Sequence, residues 1–376
     1  TEIYTLSLHD ALPIYKGGVA IMKKKSSFEL FYISDMSCAE ANILKQDALS
    51  LGAELAVPCN VVACGREKTD ALLMGTKRQI EELAKKQRAQ PYRLKELSKM
   101  LESHMKSETE IDRPKVMGVL NINEDSFYAA SRKVGKEALK RVEEMIKEGA
   151  TIIDVGAVSS RPGSEWVEFE EERRRLEPIL DDIYRTGLCG DAVFSIDTIN
   201  PDIARLSFDR GFRLLNDIDG LKNPENAQVA AEYGAGVIIM HMQGNTKTMQ
   251  VNPTYEDVLC EIEDFFKNRI EVAKSAGVQE IVLDVGIGFG KKLEHNLLLI
   301  KHLAHFKSLG YPLLVGASRK SMIDSISPSS PQDRLAGTLA LHIEAVKNGA
   351  SIIRVHDVFA HKQALDVLQA LNETTI

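Results

Sequence analysis

Seven polar side chains lie at or just after the ends of short apolar runs in the C-terminal two-thirds of the chain. A lone Asp or Asn in such a place often only caps the next helix. Seven of them, on six of eight runs, are hard to explain as caps, and in barrel enzymes functional side chains gather at the carboxyl ends of the strands. The residues are Asn121, Asp197, Asn216, Asp284, Lys320, Arg354 and His356.

Three of these residues offer carboxylate or amide edges: Asp197, Asn216 and Asp284. A carboxylate can accept two parallel N–H bonds from an aminopyrimidine ring, as it does from a guanidinium group. The sequence therefore predicts a binding group for a planar, nitrogen-rich ring.

The remaining residues suit a phosphorylated group. Lys320, Arg354 and His356 are cationic or can become so, and the RVH pattern places the last two on one face of a strand. With Arg161 they predict an anion site. Asn121 supplies a neutral oxygen suited to Mg²⁺ held jointly with phosphates.

The glycine-rich segment GIGFGK, Gly286–Lys291, follows the sixth apolar run. It has neither the P-loop spacing nor the dinucleotide fingerprint, so it is a weak nucleotide motif. It predicts a loop whose backbone approaches a ligand, with Phe289 as an apolar wall. His241, within the fifth run, is interpreted as a buried core histidine.

Eight short, β-branched runs alternate with amphipathic helical stretches after residue 115. Their almost continuous apolarity is typical of parallel strands buried on both faces. Eight such units predict an α/β fold, a (β/α)8 TIM barrel, rather than an open doubly wound sheet. The runs are residues 116–122, 151–157, 192–198, 212–218, 236–242, 280–286, 312–318 and 351–358.

The rest of the chain divides into two parts. Residues 1–14 lack the features of a signal peptide, resemble translated adapter sequence and are interpreted as non-native. Residues 15–107 mix strand and helix patterns, with a strand expected at 28–34, and predict a small α+β domain of unknown role. The barrel is expected within residues 108–376.

The composition of the chain limits which classes of binding partner and which cellular compartment are expected. A net charge of −7 argues against nucleic acid as a main partner. No apolar run approaches the roughly 20 residues that span a bilayer, so no membrane segment is expected. The 5 cysteines are odd in number and scattered, which favours free thiols in a reducing cytoplasm.

Motifs in the barrel region, one for each run and in order, resemble those of dihydropteroate synthase. The resemblance extends from about Lys115 to Leu371. The motifs are MGVLN…DSF (Met117–Phe127), DVG…SRPG (Asp154–Gly163), SIDT (Ser195–Thr198), NDI (Asn216–Ile218), MHMQGN (Met240–Asn245), LDVGIGFGK (Leu283–Lys291), LLVGASRKS (Leu313–Ser321) and IIRVHDV (Ile352–Val358).

The resemblance implies a transferase of folate biosynthesis. The family joins 6-hydroxymethyl-7,8-dihydropterin diphosphate to p-aminobenzoate, giving 7,8-dihydropteroate and pyrophosphate, and sulfonamides mimic the aminobenzoate. It also suggests a homodimer and a Mg²⁺ cofactor.

Site roles follow by position from the same resemblance. Asp197, Lys320 and Asp125 are implied as catalytic, with Asp125 in a loop able to close over substrate. The pterin is implied beside Asp197, Asn216, Asp284 and Lys320; the diphosphate and Mg²⁺ beside Asn121, Arg161, Arg354 and His356; and the aminobenzoate beside Phe289, Pro162 and Ser321.

The sequence departs from the family pattern mainly in two catalytic loops. The changed positions are Asn123–Glu124, Tyr128–Ser131, Val158–Ser160 and Val285. Two alternatives therefore stay open. One is a pterin-dependent methyltransferase, which would not need Lys320, Arg354 and His356 around a diphosphate. The other is a catalytically silent pterin-binding paralogue.

Overall fold

The computed structural model describes residues 28–59, 61, 67–107, 113–122, 131–158 and 167–374, without the side chains of 103–107 and 131–135. The chain forms two compact units that divide between residues 111 and 112. The predicted foreign segment, residues 1–14, lies outside the described residues. Within the described part of the chain, no helix is long and apolar enough to cross a membrane.

The first unit is the predicted small α+β domain. Its three strands form an antiparallel sheet in the order β1–β3–β2. The elements are β1 (Phe28–Ser37), α1 (Cys38–Ser50), β2 (Glu54–Ala56), β3 (Lys68–Thr76), α2 (Lys77–Gln87) and α3 (Leu94–Ser107).

In this unit two strands are followed directly by helices, and each of these helices begins with a capping box. Ser37 accepts from the Glu40 amide while Glu40 accepts from the Ser37 amide, and Thr76 and Gln79 do the same at the start of α2. Because each box satisfies amide donors that a helix start leaves unpaired, the chain can change from strand to helix without a loop.

The second unit is a closed barrel of parallel strands, as predicted. The strands close in the order β10–β11–β4–β5–β6–β7–β8–β9, and each predicted run overlaps one of them. They are β4 (Lys115–Asn121), β5 (Ile152–Gly156), β6 (Val193–Asp197), β7 (Leu214–Asp217), β8 (Gly236–Met240), β9 (Ile281–Asp284), β10 (Leu313–Val315) and β11 (Ile352–Val355).

Helices follow each of these strands along the chain. Two of these helices end at glycines with left-handed backbone, Gly187 (φ 72°) and Gly277 (φ 95°). The helices are α4 (Ser131–Lys147), α5 (Phe169–Thr186), α6 (Pro201–Phe208), α7 (Pro224–Glu232), α8 (Val258–Ala276), α9 (Leu293–Lys301), α10 (Ser321–Ile326), α11 (Leu335–Lys347) and α12 (Val358–Glu373).

The interior of the barrel changes from apolar to polar along the strands. The inward side chains nearest the amino ends form one buried cluster of Met117, Ile152, Leu214, Ile238, Val282, Leu314 and Ile352. Strand alternation places the next inward residue two positions further along. On four strands that residue is polar: Asp154, Asn216, Asp284 and Arg354. Inside the barrel, an apolar layer therefore lies nearer the amino ends of the strands and a polar, charged layer lies nearer their carboxyl ends.

Candidate active site

An arginine links the polar residues inside the barrel. Arg354 Nε donates to Asp154 Oδ2 at 2.6 Å, and its Nη2 donates to Asp197 Oδ2 at 2.7 Å. Asn216 Nδ2 donates to the same Asp154 oxygen at 3.0 Å. Four residues from four strands thus form one hydrogen-bonded network at the carboxyl end of the barrel.

Helix capping does not explain these strand-end residues. The caps of α6 and α7 are other asparagines, since Asn200 accepts from the Asp202 amide and Asn223 accepts from the Glu225 amide. Asp197 and Asn216 instead point into the barrel, where they take part in the network around Arg354.

The position of Arg354 changes the sequence interpretation. It was expected among the cations of an anion site, but two of its N–H groups already bond carboxylates inside the barrel. In this arrangement it is paired with both Asp154 and Asp197, so a diphosphate would meet a guanidinium whose charge is already balanced by carboxylates.

Asp154 is a site residue that the sequence analysis quoted in a motif but gave no role. Its side chain is fully buried, and its Oδ1 has no hydrogen-bond partner within the described part of the chain. A buried carboxylate oxygen without a donor is costly, and it marks a place where a donor from a ligand would fit. The signal was present in the sequence, because an acid in a run buried on both faces needs a partner.

Burial sets the proton affinity of the two predicted ring-binding acids. It raises the pKa of Asp197 to about 7, against the lowering effect of Arg354. It also raises the pKa of Asp284, although the Gly286 amide, which donates to Asp284 Oδ1 at 2.8 Å, lowers it. A bound ring that donates N–H groups would favour the charged form of both acids.

The side chain of Asp197 occupies space that is free because its neighbour on β5, Gly156, has no side chain. This glycine is the register partner of Asp197 across β5 and β6. A Cβ on Gly156 would come within 3.1 Å of the Asp197 Cβ, closer than the neighbouring strand allows without a shift. The glycine in the DVG motif therefore has a packing reason.

Lys320 and Phe289 lie together beside these acids. Lys320 Nζ is 4.1 Å from the centroid of the Phe289 ring, a cation–π contact. The same ammonium lowers the pKa of both Asp197 and Asp284, which places it within their electrostatic reach. Phe289 is buried against Met240, Met242 and Met249, so its ring lies in an apolar group of side chains. Its role as the wall of a ligand site stays a prediction.

The loop that carries Phe289 needs its glycines. Gly286, Gly288 and Gly290 have φ values of 66°, 82° and 61°. A Cβ on Gly286 would lie 2.0 Å from the carbonyl oxygen of His241. The two backbones approach too closely for any side chain at this position. The predicted approach of this loop to a ligand stays a prediction.

The buried side chain of Lys291 holds this loop in place through hydrogen bonds to backbone carbonyl oxygens. Its Nζ donates to the carbonyl oxygens of His241, Gly286 and Phe289 at 3.2, 3.0 and 2.9 Å, and it lies 3.0 Å from His241 Nδ1. Burial lowers the pKa of Lys291 to about 7. Burial and Lys291 lower the pKa of His241 to about 2, so that ring is a neutral acceptor, consistent with a buried core histidine.

His356 also lies at this end of the barrel, but as a neutral ring. Its Nδ1 is 2.9 Å from Ser318 Oγ. Burial, with Arg354 next in effect, lowers its pKa to about 4. In the free site His356 therefore offers a neutral hydrogen-bonding edge, and its predicted place beside a diphosphate stays a prediction.

An ion pair joins the last two strand ends. Arg319 Nε and Nη2 donate to the two carboxylate oxygens of Asp357 at 3.0 and 2.6 Å. This bidentate pair ties the turn that carries Ser318 and Lys320 to the turn that follows His356.

The other predicted residues are more exposed or lie outside the described residues. Asn121 ends β4 and Ser321 begins α10, and both side chains are exposed. Within the described ranges no three His, Cys, Asp or Glu side chains come together as a metal site. One exposed amide oxygen still fits Mg²⁺, which usually keeps several waters and takes substrate phosphates as ligands. Asp125, Arg161 and Pro162 lie outside the described residues.

The sequence and the fold were compared with known proteins. A family model described as "Pterin binding enzyme" matches residues 117–356. The bifunctional dihydropteroate synthase/dihydropteroate reductase of Helicobacter pylori is 41% identical over 353 residues, 94% of this chain and 93% of that protein. The dihydropteroate synthase of Escherichia coli K12 is 42% identical over 264 residues, 69% of this chain and 93% of that protein.

A solved structure gives the same result for the barrel. The dihydropteroate synthase of Thermus thermophilus, in complex with 4-aminobenzoate, superposes with a TM-score of 0.62 and 41% identity. The match covers 70% of this chain and 96% of that one.

Proposed function

The chain belongs to the pterin-binding enzymes and, among them, to the dihydropteroate synthases, and from this premise we propose how its residues perform the condensation. The substrates are 6-hydroxymethyl-7,8-dihydropterin diphosphate and p-aminobenzoate, and the products are 7,8-dihydropteroate and pyrophosphate. The observation that carries the proposal is the buried network of Asp154, Asp197, Asn216 and Arg354, with Asp284 in the same polar layer.

The polar layer binds the pterin ring. Asp284 has one oxygen bonded to the Gly286 amide and the other available for the ring's N–H groups. Asn216 and Asp197 present further amide and carboxylate edges, and Asp154 Oδ1 is a buried acceptor. Each ring donor that pairs with one of these groups removes part of the cost of burying it.

Asp197 stabilises the charge that develops during reaction. The CH2–O bond of the pterin substrate breaks and the oxygen leaves with the electron pair, so positive charge spreads from the methylene into the electron-rich ring. A buried carboxylate next to this charge stabilises it strongly in a low-dielectric site. The arylamine nitrogen then gives its lone pair to the methylene carbon and releases a proton. A neutral arylamine needs no strong general base.

Lys320 and His356 bind near the leaving group. Lys320 is cationic, and His356 acts as a neutral hydrogen-bonding ring, with Arg161 as a further expected contact. When bound, Mg²⁺ supplies charge neutralisation of the departing pyrophosphate. Asn121, at the end of β4, is the described side chain that would hold it by an oxygen.

The aminobenzoate ring binds against Phe289. The buried group of Phe289, Met240, Met242 and Met249 provides an apolar wall, and Lys320 stacks on its aromatic member. Ser321 follows Lys320 directly and offers a hydroxyl at the exposed side. Asp125 would close over the bound substrates.

We also propose that the enzyme works as a homodimer in the cytoplasm. The dimer rests on the family resemblance alone, and sedimentation of purified protein would test it. The free thiols of Cys38, Cys59, Cys189 and Cys260 support a reducing compartment.

Pyrophosphate release tests the condensation. We expect release only when both substrates are present, and none when either is omitted. A pterin-dependent methyltransferase would release no pyrophosphate. A silent paralogue would bind the pterin diphosphate without turnover, so the two alternatives give different results.

A second candidate function is reduction of the product. The relative named as both synthase and reductase matches 94% of this chain, whereas the single-function synthase of E. coli matches 69%. The additional match is about the length of the first unit. We therefore propose that the full chain also transfers a hydride, with a proton from water, to the dihydropterin ring of dihydropteroate.

Such a reduction needs a hydride donor, which we take to be a reduced nicotinamide dinucleotide. Full-length enzyme with dihydropteroate and this donor should consume the donor and give tetrahydropteroate in equal amounts. If neither a reduced nicotinamide nor a reduced flavin supports product formation, the second function is refuted while the synthase assignment stands.

A further inference from the structure

Two buried histidines contact each other behind the last two strand ends. His342 lies on α11 and His361 on α12, and each side chain is 1% exposed. His342 Nδ1 is 2.9 Å from His361 Nε2. Neither residue belongs to the predicted site, and the mechanism above uses neither.

Only one arrangement of protons satisfies all four ring nitrogens of this pair. The Ala317 amide can only donate, so His342 Nε2, at 3.0 Å, must accept. A neutral His342 then carries its proton on Nδ1 and donates to His361 Nε2. His361 in turn carries its proton on Nδ1 and donates to the carbonyl oxygen of Asp357 at 2.7 Å.

The surroundings keep both rings in this neutral state. A proton added to His342 Nε2 would face the Ala317 amide, and one added to His361 Nε2 would face the N–H of His342. Burial lowers the pKa of His342 to about 3 and lowers that of His361 as well. The hydrogen-bonded chain from Ala317 to Asp357 is therefore fixed in one direction.

The two ends of this chain are the two turns that carry site residues. Ala317 begins the turn that holds Ser318 and Lys320. The same turn is held once more by α11, because Thr338 Oγ1 accepts from the Arg319 amide at 3.0 Å. Arg319 has a left-handed backbone with φ 56°, a conformation that needs such external support.

The other end is the turn after β11. The carbonyl oxygen of Asp357 accepts from His361, and its carboxylate accepts from Arg319. It directly follows His356, whose ring bonds Ser318. The histidine pair thus connects the same two turns that the Arg319–Asp357 ion pair also connects.

We propose that His342 and His361 are positioning residues that set Lys320 and His356 in the arrangement the reaction needs. They touch no substrate and act through the backbone of the two turns. The proposal rests on the proposed synthase function, because its effect is read in that reaction.

Two substitutions of His342 by an amide side chain each keep one of its two hydrogen bonds and remove the other. In His342→Gln the amide oxygen reaches the place of Nε2 and still accepts from Ala317. In His342→Asn the amide nitrogen takes the place of Nδ1 and still donates to His361, but the Ala317 amide loses its partner. We expect kcat/KM to fall about tenfold in the Asn variant and less than about threefold in the Gln variant, since an orphaned buried amide is the larger loss.

A stability-matched control excludes a merely structural effect. Ile300→Val removes one buried methyl group from α9, away from both turns, and should lower stability modestly. With unfolding free energies measured for all variants, kcat/KM of this control should equal that of wild type. Equal losses in the Asn and Gln variants, or the same loss in the Ile300 control, would overturn the proposal. Loss of wild-type turnover would refute the proposed function instead.

Nitrogen NMR gives a readout that does not depend on activity. In enzyme with 15N-labelled histidines, two rings should show the less common Nδ1–H tautomer and remain neutral at pH 6. Both signals should change in His342→Asn and His361→Asn. Nε2–H tautomers at both positions, or protonation of either ring at pH 6, would contradict the proton arrangement on which the proposal depends.

Discussion

At the scale of single residues, the site depends on acids whose charge is balanced inside the barrel. Asp154 and Asp197 share Arg354 as a counter-ion, at 2.6 and 2.7 Å. Removing one partner of a buried ion pair is costly because the other charge stays buried without compensation. Arg354 therefore has to be considered as part of the ring-binding group, and a substitution there would act on stability as well as on ligand binding.

Asp284 tests the ring-binding role directly. Asp284→Asn should weaken pterin binding by at least tenfold, because a carboxylate that bonds ring N–H groups contributes about 1.5–3 kcal/mol. The fold should persist, since burial already raises the pKa of this acid and disfavours its charge. Calorimetric titration with the pterin substrate measures the effect. Asp264→Asn, on the exposed surface of α8, is the control, and equal affinities in the two variants would remove Asp284 from the site.

Glu172 should make the enzyme's stability depend on pH. Its Oε1 accepts from Thr198 Oγ1 at 2.7 Å, and burial raises its pKa to about 7. A raised acid pKa means that the protonated form is favoured in the folded state. Its stabilisation is therefore complete below the ordinary pKa of glutamate and is lost as pH rises towards about 7.

Glu172→Gln removes this loss, because glutamine is neutral at every pH and can accept the same hydrogen bond. Above pH 7 the variant should be more stable than wild type by up to roughly 3 kcal/mol. Urea unfolding at pH 5 and pH 8 measures the difference. A wild-type protein that gains stability between these values relative to the variant would show that the sign is wrong.

At the scale of elements, the strand ends were predictable and the contacts between them were not. Asp197, Asn216 and Asp284 were recognisable because polar residues end otherwise apolar runs. Which carboxylate Arg354 bonds depends on barrel closure and register, which bring β5, β6 and β11 together across the interior. Local spacing carries no information on that geometry.

The neutral state of His356 could not be predicted from the sequence for a related reason. The sequence placed a titratable histidine next to an expected anion. Its neutrality follows from burial and from Arg354 close by, and both are properties of the assembled barrel. Lys291 was likewise unassigned, because its partners are backbone carbonyls that a sequence does not display.

Lys291 tests how the glycine loop is held. Lys291→Met keeps a long, unbranched side chain but removes its donors to the carbonyls of His241, Gly286 and Phe289. The loop should loosen, and KM for p-aminobenzoate should rise about tenfold if Phe289 forms the wall of its site, as proposed above. Steady-state kinetics measure this change. Lys292→Met, an exposed neighbour, should behave as wild type, and matching KM values in both variants would refute the role.

At the scale of the whole molecule, all eight strands of the barrel lie within one unit, Asp112–Thr374. The strands close on one another, so no strand edge of the barrel depends on the first unit. The E. coli synthase matches 69% of the chain, about the length of that unit. We therefore expect the barrel to carry out the condensation alone. Any further activity of the full chain would depend on the first unit.

A shortened protein of residues 112–376 tests this separation. We expect it to fold, to bind the pterin substrate and to release pyrophosphate, while product reduction is lost. Thermal unfolding and both activity assays on the two proteins measure this. An insoluble fragment, or a folded one without condensation activity, would show that the barrel needs the first unit.

The most direct test of the account is product formation by full-length enzyme and by Asp197→Asn, with pterin binding measured in parallel. Wild type should form 7,8-dihydropteroate and pyrophosphate in equal amounts, identified by mass spectrometry. The variant should form product at least a hundredfold more slowly, because one preorganised charge at the reacting centre contributes about 3 kcal/mol. Its unfolding free energy is measured alongside, because the substitution also removes one partner of the Arg354 ion pair. Wild-type protein that binds the pterin diphosphate without forming product, or a variant that turns over at the wild-type rate, would contradict the account.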